Sequence, residues 1–256
     1  MTQASDAGRP AATVVVVRDR PGLAPDILMM ERAATMAFAA GALVFPGGAV
    51  EEGDWTLAER FAGQLALDDA AARVAAIRET LEESGLGIGL QGLTDAAQPL
   101  SLRASLSTGE SMGMLLERHG LGLALDELVP FARWHPADAE RVQRIYDTRF
   151  YLARMPEGQE ASADGAEAVR LFWYSAADTI ARCDAGEGRI IFPTRRNLER
   201  LAGFNSFDEL AAHAASTPVE AVRPWIEQRD GRPHLCIPTH LGYPVCSEPI
   251  ATVSRG

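Results

Sequence analysis

Three glutamates, Glu79, Glu82 and Glu83, stand together in the stretch RETLEESGL at residues 78–86. The alanine-rich segment Asp68–Ser84 is expected to be a helix, with Gly85 where a C-capping glycine belongs. At about 100° per residue, Val74, Ile77 and Leu81 fall on one stripe, the expected core face. The glutamates spread over the opposite side, close enough for their carboxylates to converge. Like charges one turn apart repel, and acids in a last helical turn oppose the helix dipole by roughly 0.3–1 kcal/mol each. Two readings follow. One is a solvated acidic face. The other is a site where a divalent cation such as Mg²⁺ reverses both costs, bound by several carboxylate oxygens with waters in the remaining positions.

The elements around this helix mix strands and helices without strict alternation, which favours a mixed α/β architecture over a doubly wound sheet. Thr13–Val17 (TVVVV) reads as a strand and Arg18–Asp26 as a turn. Ile27–Glu31 reads as a second strand that completes a hairpin. Gly41–Gly48 (GALVFPGG) reads as a short strand that ends in a glycine pair, and Trp55–Ala66 as a helix. Leu100–His119 has helical patterning. Glu127–Trp134, Asp147–Ala153 and Glu167–Tyr174 read as strands. Ser175–Cys183, Thr194–Leu201 behind Pro193, and Ser206–Ala215 read as helices. From His234 to Tyr243 the chain reads as extended and broken by prolines. Trp173 and Trp225 are expected in the core or in pocket walls.

The bulk composition narrows the classes. With 256 residues, 47% hydrophobic and 23% charged, the chain has the make-up of a soluble globular protein. A net charge of −11 argues against nucleic acid as a partner. It leaves room for a small phosphorylated ligand, because a bound cation bridges acid to phosphate. All 24 basic residues are arginine, so Schiff-base, Walker-A and kinase lysines are excluded. No apolar run approaches a membrane span, and the opening residues lack the pattern of a signal peptide. Cys183, Cys236 and Cys246 form no CxxC pair, which points to a reducing, cytoplasmic setting. No two histidines have metal-ligand spacing on one helix, and no GxSxG or Cys–His arrangement stands out.

Upstream of the glutamates lies FPGGAVEEGD, Phe45 to Asp54. Together with Arg78-Glu79-Thr80-Leu81-Glu82-Glu83-Ser84-Gly85-Leu86, it resembles the signature of the Nudix hydrolases, Gx5Ex7REUxEExGU, where U is bulky and apolar. Gly48 opens the match. Asp54 stands where the family has glutamate, with Glu51 and Glu52 as neighbouring acids that could take its role. Thr80 replaces an apolar residue. The spacer after Asp54 is 23 residues long instead of seven. An enlarged spacer at this place is similar to that of the peroxisomal coenzyme A diphosphatases of animals.

The resemblance implies the Nudix fold, an α/β/α sandwich with a mixed sheet. The expected organisation is one domain over residues 10–256, with helical inserts at about 55–70 and 93–120 and a C-terminal extension from about 185. It implies that Glu82 and Glu83 ligate Mg²⁺ or Mn²⁺, with Glu79 as a further ligand or as the acceptor of a water proton. The Gly47 carbonyl would be a backbone ligand, and Arg78 would hold the carboxylates in place. Glu167 is a further candidate acid, because EAVRLFW resembles an E-x5-W strand that often follows the box; a strand-edge acid is the plainer reading. A second pattern of the coenzyme A-cleaving members, LLTxR[SA]x3Rx3Gx3FPGG, aligns over Leu28–Gly48. It marks Arg32 as a contact for a substrate phosphate, while Ala37 replaces the second arginine and Met30 the threonine. Arg144, Arg149 and Arg195 could bind phosphates or lie at the surface. His135, in WHP, could line a pocket or pack in a turn.

The function implied is Mg²⁺-dependent hydrolysis of a nucleotide-linked diphosphate, with coenzyme A or its acyl derivatives as the first candidate. Hydrolysis of ADP-ribose or dinucleotides is the alternative. A catalytically silent domain that only binds a nucleotide or a protein partner competes from another class, and the presence of all four of Arg78, Glu79, Glu82 and Glu83 speaks for an enzyme. Family members are often dimers, so a homodimer belongs among the expectations.

Overall fold

The computed structural model describes residues 8–33, 39–135 and 146–253. The chain opens with a hairpin, β1 (Arg9–Arg20) and β2 (Leu23–Arg32). The turn expected over Arg18–Asp26 is much shorter: both strands run into that stretch, and Pro21 and Gly22 alone reverse the chain, with Gly22 at φ 73. Asp26 ties the tip together by accepting hydrogen bonds from Arg18 at 2.7 Å and Arg20 at 2.9 Å. The single strand expected at Gly41–Gly48 is split in two. β3 (Leu43–Val44) pairs with β2, and β4 (Gly47–Ala49) pairs with β1.

Helix α1 (Glu52–Phe61) starts three residues before the expected helix and ends five before its limit. Helix α2 (Leu67–Ser84) is the expected glutamate helix, and Gly85 caps it at φ 71 with its N–H on the Leu81 carbonyl at 2.9 Å. That left-handed turn is what requires glycine; the nearest atom to a Cβ there, Leu100 Cδ2, is the end of an exposed side chain that can move aside. After β5 (Leu90–Gln91), the helical stretch 100–119 is two helices, α3 (Gln98–Ser107) and α4 (Met112–His119). The break falls where Gly109 takes φ 92 and Ser111 caps α4 through the Met114 N–H.

β6 (Gly122–Leu123) pairs with β5; β7 (Val129–Trp134), β8 (Tyr146–Arg154) and β9 (Ala168–Ser175) then complete the main strands. α5 (Ala176–Asp184), α6 (Phe192–Leu201) and α7 (Phe207–Ser216) follow, with Pro193 in the first turn of α6. The stretch expected to be extended from His234 begins inside a strand, and the chain around it holds more structure than that. β10 (Ala221–Val222) joins the main sheet, and β11 (Trp225–Arg229), β12 (Arg232–Cys236) and β13 (Ser247–Pro249) form a second, three-stranded sheet before α8 (Ile250–Val253). Trp225, expected in a core or pocket wall, is 43% exposed on β11.

The main sheet is mixed and eight-stranded. β1 is its axis: it runs parallel to β8 from Arg9 to Val17 and antiparallel to β2 and β4 on its other edge. Alternation along the strands sends side chains to two cores. Val14, Val16, Leu28 and Tyr151 pack toward α1–α4; Val15, Val17, Met29 and Leu152 pack toward α5–α7. The structure is thus α/β, with helices on both faces of a mixed sheet. Ala70, Ala71, Ala72, Ala75 and Ala76 of α2 are 0–2% exposed, and their small side chains let the helix lie close to the sheet. No helix of the described residues is long and apolar enough to cross a membrane.

Candidate active site

The last turns of α2 lie beside the glycine pair of β4. Gly47 donates its N–H to Glu83 Oε2 at 2.8 Å. A Cβ on Gly47 would overlap the backbone carbonyl of Ala12, and a Cβ on Gly48 would overlap the Glu79 carboxylate. Each glycine thus makes room for a different neighbour, the first for strand β1 and the second for Glu79.

Arg78 organises the acids. Its Nε and Nη2 donate to Asp54 Oδ1 and Oδ2, both at 3.0 Å. Its Nη1 donates to Glu79 at 2.9 Å and to Glu82 at 3.0 Å, and Nη2 reaches the Ala49 carbonyl at 3.1 Å. Burial works against this guanidinium's charge, but the bond to Asp54 and the charges of Glu79 and Glu82 hold it well above its ordinary pKa. Among the three acids before the spacer, Asp54 is the one turned inward, at 1% exposure, while Glu51 and Glu52 are exposed. Asp54 also accepts the Glu51 N–H at 2.9 Å and so fixes the start of α1.

The glutamates do not form a solvated face. Glu83 is 2% exposed. Burial and the neighbouring Glu79 raise its pKa well above the carboxylate range, against the Gly47 N–H and Arg32. Burial pushes Glu79 up to about 7 despite Arg78, and burial also raises Glu82. Glu83 Oε1 is buried and accepts no hydrogen bond; Arg32 Nη1 stands 3.9 Å from it. A buried carboxylate oxygen with an open lone pair, beside two more glutamates, is a donor set of hard oxygens that suits Mg²⁺ or Mn²⁺. No group of three or more His, Cys, Asp or Glu among the described residues is already gathered as a cage, since Glu79 and Glu82 are drawn onto Arg78.

These side chains border a cavity of about 730 Å³. Arg32, Gly47, Gly48, Arg78, Glu79 and Glu82 line it, and Glu167 lines it from the residue before β9. The charge of Glu167 contributes to the raised pKa of both Glu79 and Glu83. His135 also lines the cavity while 3% exposed, and its Nε2 accepts the Gly8 N–H at 3.3 Å. Arg149 and Arg195 stand elsewhere: Arg149 pairs with Asp68 and Asp69, and Arg195 with Asp184 and Glu199. Ala37 and Arg144 lie outside the described residues.

Sequence reasoning missed the opposite part of the cavity, where Trp134, Phe150, Phe192, Pro193, Pro224 and Leu235 present apolar surface. They come from five separate places in the chain, β7, β8, α6, the residue before β11, and β12. WHP, which begins at Trp134, is readable as a pocket element and the proline after Phe192 as a helix start, but neither announces an apolar end.

No protein-family model matches the chain. It is 25% identical over 280 aligned positions to the acyl-coenzyme A diphosphatase NUDT19 of Gallus gallus, covering 85% of this chain and 74% of the relative. It is 27% identical over 186 positions to the putative nudix hydrolase 7 of Caenorhabditis elegans, covering 71% of this chain and 57% of the relative. The crystal structure of a NUDIX hydrolase from Alicyclobacillus acidocaldarius superposes with a TM-score of 0.69 at 28% identity, covering 82% of this chain and 97% of that one.

Proposed function

The chain is a Nudix hydrolase, an enzyme acting on pyrophosphate bonds, and from that premise we propose that it cleaves the diphosphate of a nucleotide-linked substrate, with coenzyme A or its acyl derivatives as that substrate. The observation that carries this reading is the placing of Glu79, Glu82 and Arg32 on the wall of a cavity whose other walls are largely apolar. Such a cavity suits a ligand with a charged diphosphate and a large organic part. The similarity to an acyl-coenzyme A diphosphatase supports the choice of substrate.

Glu82, Glu83 and Glu79 would hold the divalent ion, with the Gly47 carbonyl as a backbone ligand. When bound, the ion supplies neutralisation of the diphosphate and a more acidic water. Arg78 and Asp54 would fix the orientation of the acids, and Arg32 would meet a substrate phosphate. Gly48 would let the diphosphate approach the backbone beside Glu79. Glu167, or Glu79 in place of its role as a ligand, would accept the proton of the attacking water.

Incubation of the protein with coenzyme A and Mg²⁺, followed by separation and mass detection of the products, tests the reading. The expected products are 3′,5′-ADP and 4′-phosphopantetheine. Absence of cleavage of both coenzyme A and an acyl-coenzyme A would remove the substrate assignment.

A further inference from the structure

One rung of the main sheet crosses the cavity floor. Ala49 of β4 is opposite Ala11 of β1, Ala11 is opposite Thr148 of β8, and Thr148 is opposite Trp134 of β7. All four residues line the cavity. The rung begins at the Ala49 carbonyl that Arg78 holds, so it begins at the glutamates. Three inter-strand steps of about 4.8 Å put Trp134 roughly 14 Å away.

The chemistry changes along that rung. The polar atom of the Trp134 ring is already used, because Nε1 donates to the Tyr243 hydroxyl at 2.9 Å. That hydroxyl donates in turn to Asn197 Oδ1 at 3.2 Å. Phe192 meets the Trp134 ring edge-on at 5.9 Å. Phe192, Pro193, Pro224 and Leu235 are each only partly buried, and all four face the cavity. They belong to α6 and to the segment around β11 and β12, outside the helix that carries Glu79, Glu82 and Glu83. An apolar occupant suits the face these side chains present, since a polar group against them would lose its hydration without return, while His135, Tyr146 and Thr194 also line the cavity.

We propose that Trp134, Phe192, Pro193, Pro224 and Leu235 form a site for an apolar tail that the substrate carries on a long arm, roughly 14 Å from its diphosphate. This rests on the diphosphatase reading above and adds what it leaves open, the side of the substrate that sets preference. The acylated form of a diphosphate substrate is therefore favoured over the form without the tail. The C-terminal segment acts as a specificity element, distinct from the residues that act on the diphosphate.

The test compares free coenzyme A with octanoyl-coenzyme A in wild type, Leu235→Asp and Phe192→Ala, with circular dichroism to establish folding. In wild type, kcat/KM for the octanoyl substrate is expected to exceed that for coenzyme A by about tenfold or more, as apolar pockets discriminate chains of differing length. Both variants are expected to bring the ratio to within about twofold of unity, because the octanoyl substrate loses the tail contact and coenzyme A has no tail to lose. A wild-type ratio near or below one, or a ratio that survives in both folded variants, would overturn the proposal. If neither compound is cleaved, calorimetric affinities for the same pair decide separately. Tighter binding of the octanoyl form that Leu235→Asp abolishes keeps the tail site while the diphosphatase reading falls; equal affinities in wild type overturn the tail site.

Discussion

Arg78 grips Asp54 through two hydrogen bonds of 3.0 Å, Nε to Oδ1 and Nη2 to Oδ2, across 24 positions of sequence. Most of α1 and the first turns of α2 lie between them, yet the pair brings the first turn of α1 against the glutamate helix. The 23 residues between them are therefore accommodated around this contact. Asp54→Ala is expected to destabilise the fold by about 3 kcal/mol, the low end for breaking a buried pair, because Arg78 keeps Glu79 and Glu82. Urea unfolding measures this; a change below about 0.5 kcal/mol, the ordinary range for a surface substitution, would contradict it.

Gly47 and Gly48 are adjacent but should fail differently. Gly47→Ala drives a Cβ into the Ala12 carbonyl and is expected to lower the melting temperature sharply. Gly48→Ala meets the end of the Glu79 side chain instead. It should leave the melting temperature within a few degrees and lower turnover by roughly tenfold or more, as misplacing a reacting group does. Thermal melts beside turnover of the two variants separate the cases. Equal loss of stability in both would refute the distinction.

The charge on the acids predicts a metal requirement for binding itself. Any ionised carboxylate among Glu79, Glu82 and Glu83 repels an anionic diphosphate, and Arg78 is already committed to Asp54, Glu79 and Glu82. Calorimetry after chelation is expected to show weak binding of coenzyme A, restored by Mg²⁺. Metal-free affinity equal to that with Mg²⁺ would contradict this.

Acid stability should depend on Asp147. The hydrogen bond from Arg133 holds its pKa below the ordinary value, ahead of burial, which opposes it. A depressed folded pKa means that the stabilisation is complete above the unfolded value of about 3.9 and is lost as pH falls through the folded one. Wild type should therefore be more stable than Asp147→Asn at pH 6, and the gap should close as pH falls through the lowered pKa of Asp147. Urea midpoints across that range check it; a gap that widens toward acid would be the wrong sign.

The parts of this architecture that were legible share a physical signature. The α2 helix carries a periodic apolar stripe and a glycine at its end, and the β1 run of valines suits a strand buried on both faces. The role of Asp54 was ambiguous because three acids within four residues look alike until one of them is turned inward by Arg78. The Arg18–Asp26 stretch read as a turn because Pro21 and Gly22 dominate it, while the cross-strand bonds from Arg18 and Arg20 to Asp26 leave no local pattern. β11 and β12 are short and largely exposed, so no alternation of burial announces them. The apolar end of the cavity depends on distant segments meeting, which no spacing encodes.

The central claim is that Glu83 and its neighbours make this cavity a diphosphatase site. The most direct measurement is Mg²⁺-dependent turnover of octanoyl-coenzyme A by wild type and by Glu83→Gln, with the fold of each confirmed by circular dichroism. Wild type is expected to release 3′,5′-ADP and octanoyl-phosphopantetheine, and the folded variant to lose at least about a hundredfold in kcat. A folded Glu83→Gln protein that turns over as fast as wild type would contradict the claim.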